Sequence, residues 1–392
     1  MNITFLLGNG FDIGLGLKTS YENFYTQYCK PLSTDNENIK AFKTTIKNRK
    51  LDEKREVVDW SDFEKAFGQH SAFFTIDEKR NYIERFEDFV VRFNAYLEDE
   101  EEHADFSNTK LIAETMHTAV TSYFHIRRAD KDAIQNIYNA ADNQRIYNFI
   151  SFNYTKTVDQ SAQILKQHLK SDNYRNVGNI LHIHGFIDEN MIMGVNDMTQ
   201  ITNETFANDE EIVREIVKPR QNADVRANYE KQVIDTINKS NIICVYGMSI
   251  GETDKKWWAQ IAEWLTKNPK RALVILKHDK KYDKKFPFTQ NRFIDPVIDK
   301  FLELSDQPNN IQTNIRSQIF VGMNHDVFAM DLRKETLREQ IDASIKRVRE
   351  LENEQYFTSI AEKMREIETS ESVLEDAVEV AEKAKELAAF SN

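Results

Sequence analysis

Leu181-His182-Ile183-His184-Gly185 carries the side chains best suited to proton transfer near neutral pH, two histidines one residue apart. If the segment is a strand, both imidazoles point to one face and Ile183 to the other. Each histidine is then a general base, a metal ligand or a structural hydrogen-bonding group, and the glycine after them sets them at a chain turn. Asn153, in Ser151-Phe152-Asn153-Tyr154-Thr155, stands in the same relation to its own apolar run. It is a turn residue, or it uses its donor and acceptor to hold a sugar hydroxyl or a water. Asp12, Asp254 and the pair His325-Asp326 add further acids and ligand types. With His182 and His184, the residues Asp254, His325 and Asp326 could hold one or two divalent metals, so metal-dependent hydrolysis is one chemistry open to the chain.

These residues follow apolar runs that read as strands. Ile3 to Leu7 is long enough for a buried strand and stops at Gly8-Asn9-Gly10, with Phe11 and Asp12 behind it. Four of the eleven glycines lie between Gly8 and Gly16, so the first turn concentrates the chain's conformational freedom. A buried strand, a glycine-rich turn and a helix present unpaired backbone N–H groups at the carboxyl edge of a sheet, where they can bind a phosphate. Gly8-x-Gly10 lacks the regular third glycine of dinucleotide sites, and Asp12 is an anion at the phosphate position. A plain strand–helix turn is therefore the alternative. Further strands are expected at 146–150, 181–185, 191–193, 242–246, 272–276 and 318–321. Nine of the eleven glycines lie at or just after the ends of such runs, with Gly68 and Gly178 the exceptions. A doubly wound sheet has its ligand crevice there, with Gly185, Gly247 and Ser249 on its rim.

The remainder reads as helices. Tyr21, Phe24, Tyr25 and Tyr28 share one face of a helix that Pro31 closes. From about 36 to 141 the chain is polar, charged and helical in period. Ile83, Phe86, Phe89, Val90, Phe93 and Tyr96 form one apolar stripe; Leu111, Ile112, Met116, Val120, Tyr123 and Phe124 form another. This is expected to be a helical insertion packed beside the sheet. In Trp60-Ser61-Asp62-Phe63-Glu64, either Ser61 or Asp62 caps a helix, or Asp62 and Glu64 face a pocket. A second polar helical stretch runs from 203 to 239. Beyond 331, Leu337, Ile341, Ile345, Val348 and Leu351 recur at helical spacing. Those helices pack on the body or serve self-association, as a homo-oligomer, or a partner. The expected architecture is an α/β, doubly wound, Rossmann-like domain over 1–330, including the insertion, and a helical C-terminal extension over 331–392.

A chain of 392 residues can bury a substantial core. Its net charge of −12 argues against a nucleic-acid partner but not against an anionic small molecule held by backbone dipoles. Cys29 and Cys244 lack ligand spacing and build neither a disulfide framework nor a cysteine zinc site. No apolar run reaches the roughly 18 residues of a membrane span. A soluble, cytoplasmic protein without a membrane partner is expected.

Taken in order, GNGFDIGLGLKTSY, WSDFE, ISFNYTKTVD, HIHG, GVND, YGMSIGETDKKWW and NHDVF resemble the AbiH family of phage abortive-infection proteins over most of residues 1–330. That pattern in turn resembles, more distantly, the sirtuin-like NAD-binding fold. The resemblance implies that Gly8, Asn9, Gly10 and Phe11 belong to the nucleotide-binding loop. It further implies that Asn153 holds the nicotinamide ribose and a water, that His184 before Gly185 is the catalytic histidine, and that Gly247 with Ser249 contacts phosphate. Asp12 or Asp254 would support positive charge. Asn9 and Asp12 replace the sirtuin loop's Ala and Ser, Thr155 stands where sirtuins carry Asp, and the sirtuin zinc module is absent. What the resemblance implies is therefore not a deacylase but a metal-free NAD+ hydrolase acting in antiphage defence. The alternative it leaves is a nucleotide-binding sensor that engages a phage-derived trigger or partner protein without turnover.

Overall fold

The structure is a computed structural model that describes residues 1–48, 62–122, 126–140, 143–225, 227–335, 339–341 and 383. The chain divides into two units, Met1–Leu332 and Arg333–Asn392. Almost all of the expected C-terminal extension lies outside the described residues, as do Trp60, Ser61, Tyr123 and Phe124.

In the first unit, β1 (Asn2–Leu7), β2 (Arg145–Ser151), β3 (Arg175–His182), β4 (Ile242–Tyr246), β5 (Ala272–Lys277) and β6 (Ile319–Met323) form one sheet. All neighbours are parallel, in the order β3-β2-β1-β4-β5-β6. Parallel strands covered on both faces read as continuous apolar runs, which is why β1, β4 and β5 are so plain in the sequence. Ile3, Phe5 and Leu7 project into one core; Leu6, with Ile243 and Val245 of β4, projects into the other. Each such fully buried side chain contributes roughly 1.5–3 kcal/mol. Leu7 is level with Ser151 on one side and Tyr246 on the other, and Ser151 is level with His182. Four strands thus end together, and the chain leaves each of them into a motif-bearing loop.

The α-helices between β1 and β2 are α1 (Gly10–Gly14), α2 (Tyr21–Tyr28), α3 (Glu37–Asn48), α4 (Phe63–His70), α5 (Lys79–Glu102), α6 (Thr109–Ser122) and α7 (Arg128–Ala140). Next come α8 (Thr157–His168), before β3, and α9 (Glu204–Ala207), α10 (Glu210–Ile216), α11 (Lys218–Val225) and α12 (Ala227–Lys239), before β4. After β4, α13 (Lys255–Thr266) leads to β5, and α14 (Asn291–Leu304) and α15 (Asn309–Ile315) lead to β6.

The expected insertion is not one body. Ile112, Met116 and Val120 of α6 and Ile134 of α7 pack on the sheet together with Val158 and Leu165 of α8. Only α2 to α5 form a separate lobe. Its aromatic core, including Phe24, Phe63, Phe67, Tyr82 and Phe89, also takes in Met193, Val195, Phe206, Ile212 and Ile216 from the β3–β4 connection. Two distant excursions therefore share one hydrophobic cluster beyond the sheet's carboxyl edge.

Some strand expectations change. β3 starts at Arg175, well before the expected run, and as an edge strand it mixes exposed, half-buried and buried positions rather than reading as apolar throughout. Met191 to Met193 is no strand: Ile192 N–H donates to the His184 carbonyl at 2.8 Å and no ladder follows. Gly322 accordingly lies within β6, and Gly194 in a loop. Among the described residues no helix is long and apolar enough to cross a membrane.

Candidate functional site

The loops leaving β1 to β4 surround a cavity of about 260 Å³. Gly8, Asn9 and Asp12 line it from the first loop; Phe152, Asn153 and Thr155 from the second; His184 from the third; Gly247, Ser249 and Asp254 from the fourth. The helical lobe and the chain following it close the far side with Tyr21, Asp62, Glu64, Phe93 and Lys218.

Glycine holds the first and fourth loops together. Gly8 N–H donates to the Tyr246 carbonyl at 3.0 Å and Gly10 N–H to the Gly247 carbonyl at 2.6 Å. A Cβ on Gly10 would lie 2.4 Å from Gly247 Cα, and one on Gly247, at φ +71°, would lie 2.7 Å from Phe11 N. Backbone presses on backbone, and no side chain fits between. The N–H groups of Gly8 and Gly10 are therefore bonded within the protein, not unpaired as the glycine-rich turn alone suggests. Asn9 fastens the loop from its other side: its Nδ2 donates to the Thr19 carbonyl at 3.1 Å and its Oδ1 accepts from Thr19 Oγ1 at 2.5 Å. Phe11 turns away into the core, its ring centroid 5.5 Å from that of Phe328. Gly10 and Gly185 are likewise absent from the cavity lining; Gly185, at φ +75°, turns the chain directly after His184.

The two histidines part company at the end of β3. His182 Nε2 lies 2.5 Å from Asp159 Oδ2 and its Nδ1 lies 3.2 Å from the Asn153 carbonyl, so it braces the second loop from outside the cavity. His184 is buried in the cavity wall with Nε2 3.6 Å from Asp254 Oδ1. That separation exceeds a hydrogen bond. His184 Nδ1, Asp254 Oδ1 and Asn153 Nδ2 are all buried without a hydrogen bond of acceptable geometry. Buried polar atoms are nearly always satisfied, and these three atoms around a single cavity are ones that a polar ligand or a water could satisfy.

The charges set the protonation states. Burial, and then the nearby Lys218 charge, hold the His184 imidazole below its ordinary range, so it is neutral and can accept a proton. Burial works against an ionised Asp254, but His184 and Lys218 outweigh it and hold its carboxyl below the usual range. Asp12 is different. Burial pushes it up to about 6 although both oxygens accept hydrogen bonds, from Thr155 Oγ1 at 2.8 Å and Thr157 Oγ1 at 2.5 Å. It lines the cavity but is engaged in tying the first loop to the second.

Lys218 and Tyr154 were not legible as site residues. Lys218 Nζ donates to Glu64 Oε2 at 2.6 Å, and the Tyr154 hydroxyl donates to Glu64 Oε1 at 3.4 Å and to the Ile192 carbonyl at 3.2 Å. Asp62 does what either sequence reading allowed: it caps α4, accepting from Lys65 N–H at 3.2 Å, and it also lines the cavity. The Gly194-Val195 segment positions Lys218, whose N–H donates to the Val195 carbonyl at 2.9 Å. Gly194 permits this approach, since a Cβ there would lie 1.9 Å from the Ile216 carbonyl oxygen. Among the described residues no group of three or more His, Cys, Asp or Glu side chains is arranged to hold a metal ion. The rival metal reading loses His182 to Asp159.

A parallel α/β sheet whose strand-end loops and helical lobe enclose a polar cavity defines the class. Within it, the chain belongs to the bacteriophage abortive infection AbiH family, which matches residues 4–276. Membership carries a role in phage abortive infection, and every residue lining the cavity falls inside the matched span. No curated protein matches the chain.

Proposed function

We propose that the cavity binds NAD+ or a related nucleotide and hydrolyses the nicotinamide–ribose bond, so that the protein acts in abortive infection by destroying NAD+. The observation that carries this reading is that Asn153, His184 and Asp254 line one cavity, with Asn153 Nδ2, His184 Nδ1 and Asp254 Oδ1 buried and short of a hydrogen bond of good geometry. The strand order supports it, being that of doubly wound dinucleotide-binding sheets, whose ligands sit where the order reverses beside β1. A sirtuin-like arrangement belongs to the same reading.

The C1′–N bond breaks with its electron pair going to the ring nitrogen, so nicotinamide leaves neutral and C1′ becomes oxocarbenium-like. Asn153 orients the ribose and one water. Neutral His184 accepts the proton that the water loses, directly or through a ribose hydroxyl, as the oxygen bonds to C1′. Asp254, ionised beside His184, faces the positive charge in the role that Asp12 shared with it at the level of sequence. A cavity of about 260 Å³ suits the reacting ribosyl-nicotinamide half, leaving the adenosine outside.

The test is nicotinamide release from NAD+ by the purified full chain, with and without infected-cell lysate. His184→Ala is expected to lower release at least about a hundredfold, the scale of a lost general base, and Asn153→Ala about a hundredfold through lost positioning of the ribose and water. Full turnover by either variant would remove the proposal. The bonded N–H groups of Gly8 and Gly10 favour one second reading, a nucleotide sensor without turnover. Tight binding with no release under either condition would select it.

A further inference from the structure

Between β5 and α14 lies a segment that neither the cavity nor the family match absorbs, since the match ends at residue 276. Residues 277–285 hold five lysines against two aspartates, in a chain of net charge −12. Lys280, Lys281, Lys284 and Lys285 are all exposed, and among the described residues none has an ion-pair partner. The two aspartates are turned back on their own loop: Asp279 Oδ1 accepts from Lys281 N–H at 2.8 Å and Asp283 Oδ1 from Lys285 N–H at 2.9 Å. Directly after them, Phe286 and Phe288 are 50% and 80% exposed. Their ring centroids are 6.0 Å apart with planes at 68°.

The loop is held in place by a motif that the cavity leaves unused. Asn324 of NHDVF, at φ +54°, follows β6. Its Oδ1 accepts from Asp279 N–H at 2.7 Å, its Nδ2 donates to the Asp279 and Tyr282 carbonyls at 2.9 and 3.3 Å, and its N–H donates to the Lys277 carbonyl at 2.8 Å. Tyr282 points inward, its ring centroid 5.4 Å from that of Phe293. Four lysines and two phenylalanines are thus displayed outward on a fixed turn.

We propose that this loop binds single-stranded nucleic acid, with the lysines meeting phosphates and the two rings stacking on bases. Cations that track a backbone, combined with exposed rings, are how strands are held without sequence preference. The expectation of no nucleic-acid partner rested on whole-chain charge. At 0.1 M salt the Debye length is about 10 Å, so a strand on this loop meets the local lysines while the distant acidic surface is screened. A membrane surface fits less well, because interfacial anchoring uses a continuous apolar face and here the apolar exposure is two rings on a turn. The inference is independent of what the cavity hydrolyses.

The experiment is fluorescence anisotropy of the full chain with a labelled oligothymidylate of about 20 nucleotides, from about 50 to 200 mM salt. Binding is expected, with log K falling against log salt at a slope of about −3 for four phosphate contacts on a single strand. Phe286→Ala with Phe288→Ala should weaken binding about tenfold or more. Replacing Lys280, Lys281, Lys284 and Lys285 together by Ala should remove most of the slope. All six side chains are exposed, so far-UV circular dichroism is expected to stay unchanged. Unchanged affinity in both variants, no binding at about 50 mM salt, or binding to phosphatidylserine vesicles in place of the oligonucleotide would each overturn the proposal.

Discussion

Replacing Lys218 by Met removes one half of a buried ion pair and leaves the other half in place. Lys218 Nζ is 2.6 Å from Glu64 Oε2, with the two side chains 6% and 10% exposed, so solvent screens the pair little. Breaking such a pair costs about 3–5 kcal/mol, most of it from the carboxylate left behind. Burial already holds Glu64 above the ordinary carboxylate range, so it can relieve part of that cost by taking up a proton. Its other oxygen keeps Tyr154 OH at 3.4 Å and Gly194 N–H at 3.3 Å. The loss is therefore expected at the low end, about 3 kcal/mol at pH 7, and smaller at pH 5 where the proton binds more readily. For a unit of this size that is a fall in Tm of no more than about 6–12 °C. Adding Glu64→Gln removes the stranded charge, and the double variant should recover at least about 1.5 kcal/mol relative to the sum of the single changes. Urea unfolding of all four proteins at both pH values measures this, with the slopes compared to confirm a common unfolded state. A loss below about 1 kcal/mol for Lys218→Met, or strict additivity, would refute the reading of Lys218 and Glu64 as a coupled buried pair.

Two further perturbations probe the loops. Asp12 is raised by burial from 3.8 to about 6, so the folded protein holds this proton more tightly than the unfolded chain does. Stability from this group is therefore present below about pH 4 and is lost, by about 3 kcal/mol in all, as pH rises through 6 to about 7. Asp12→Asn should remove that component from the pH profile of unfolding, and a variant profile parallel to the wild type would contradict it. At Gly194, φ is +144° and an added Cβ meets the Ile216 carbonyl oxygen at 1.9 Å. Gly194→Ala should cost about 2–3 kcal/mol through strain and the displaced backbone. Thermal unfolding that shows less than about 1 kcal/mol would mean the Val195–Lys218 pairing can move.

The sheet was largely legible because parallel strands buried on both faces are short apolar runs, and 3–7, 242–246 and 272–276 have no other reading. β3 was legible only at its end: Arg175, Asn176 and Asn179 are polar residues of a partly exposed edge strand, and Gly178 breaks the run further. Met191 and Met193 misled for the opposite reason, being apolar because they pack in the lobe's core and not because they pair. The division of residues 36–141 between sheet cover and lobe was invisible. Periodicity reports that a helix has an apolar face but not which of two cores receives it.

At the site, the motifs are of two kinds that a sequence does not separate. Gly10 with Gly247, Gly194 beside Ile216, and Asn324 at the base of the lysine loop hold one stretch of backbone against another. Their spacing records how the turns at one sheet edge fit together and carries no information about a ligand. Asn153, His184 and Asp254 are the other kind, buried polar side chains that each keep an atom short of a hydrogen bond of good geometry. Lys218 escaped notice because a lysine in a charged helical stretch is ordinarily solvated, and only the fold buries it against Glu64. That burial ties the lobe to the charges of the cavity. Through Lys218 the excursion after β3 helps keep His184 neutral and Asp254 ionised, so a displacement of the lobe would alter the protonation of the cavity without touching the sheet.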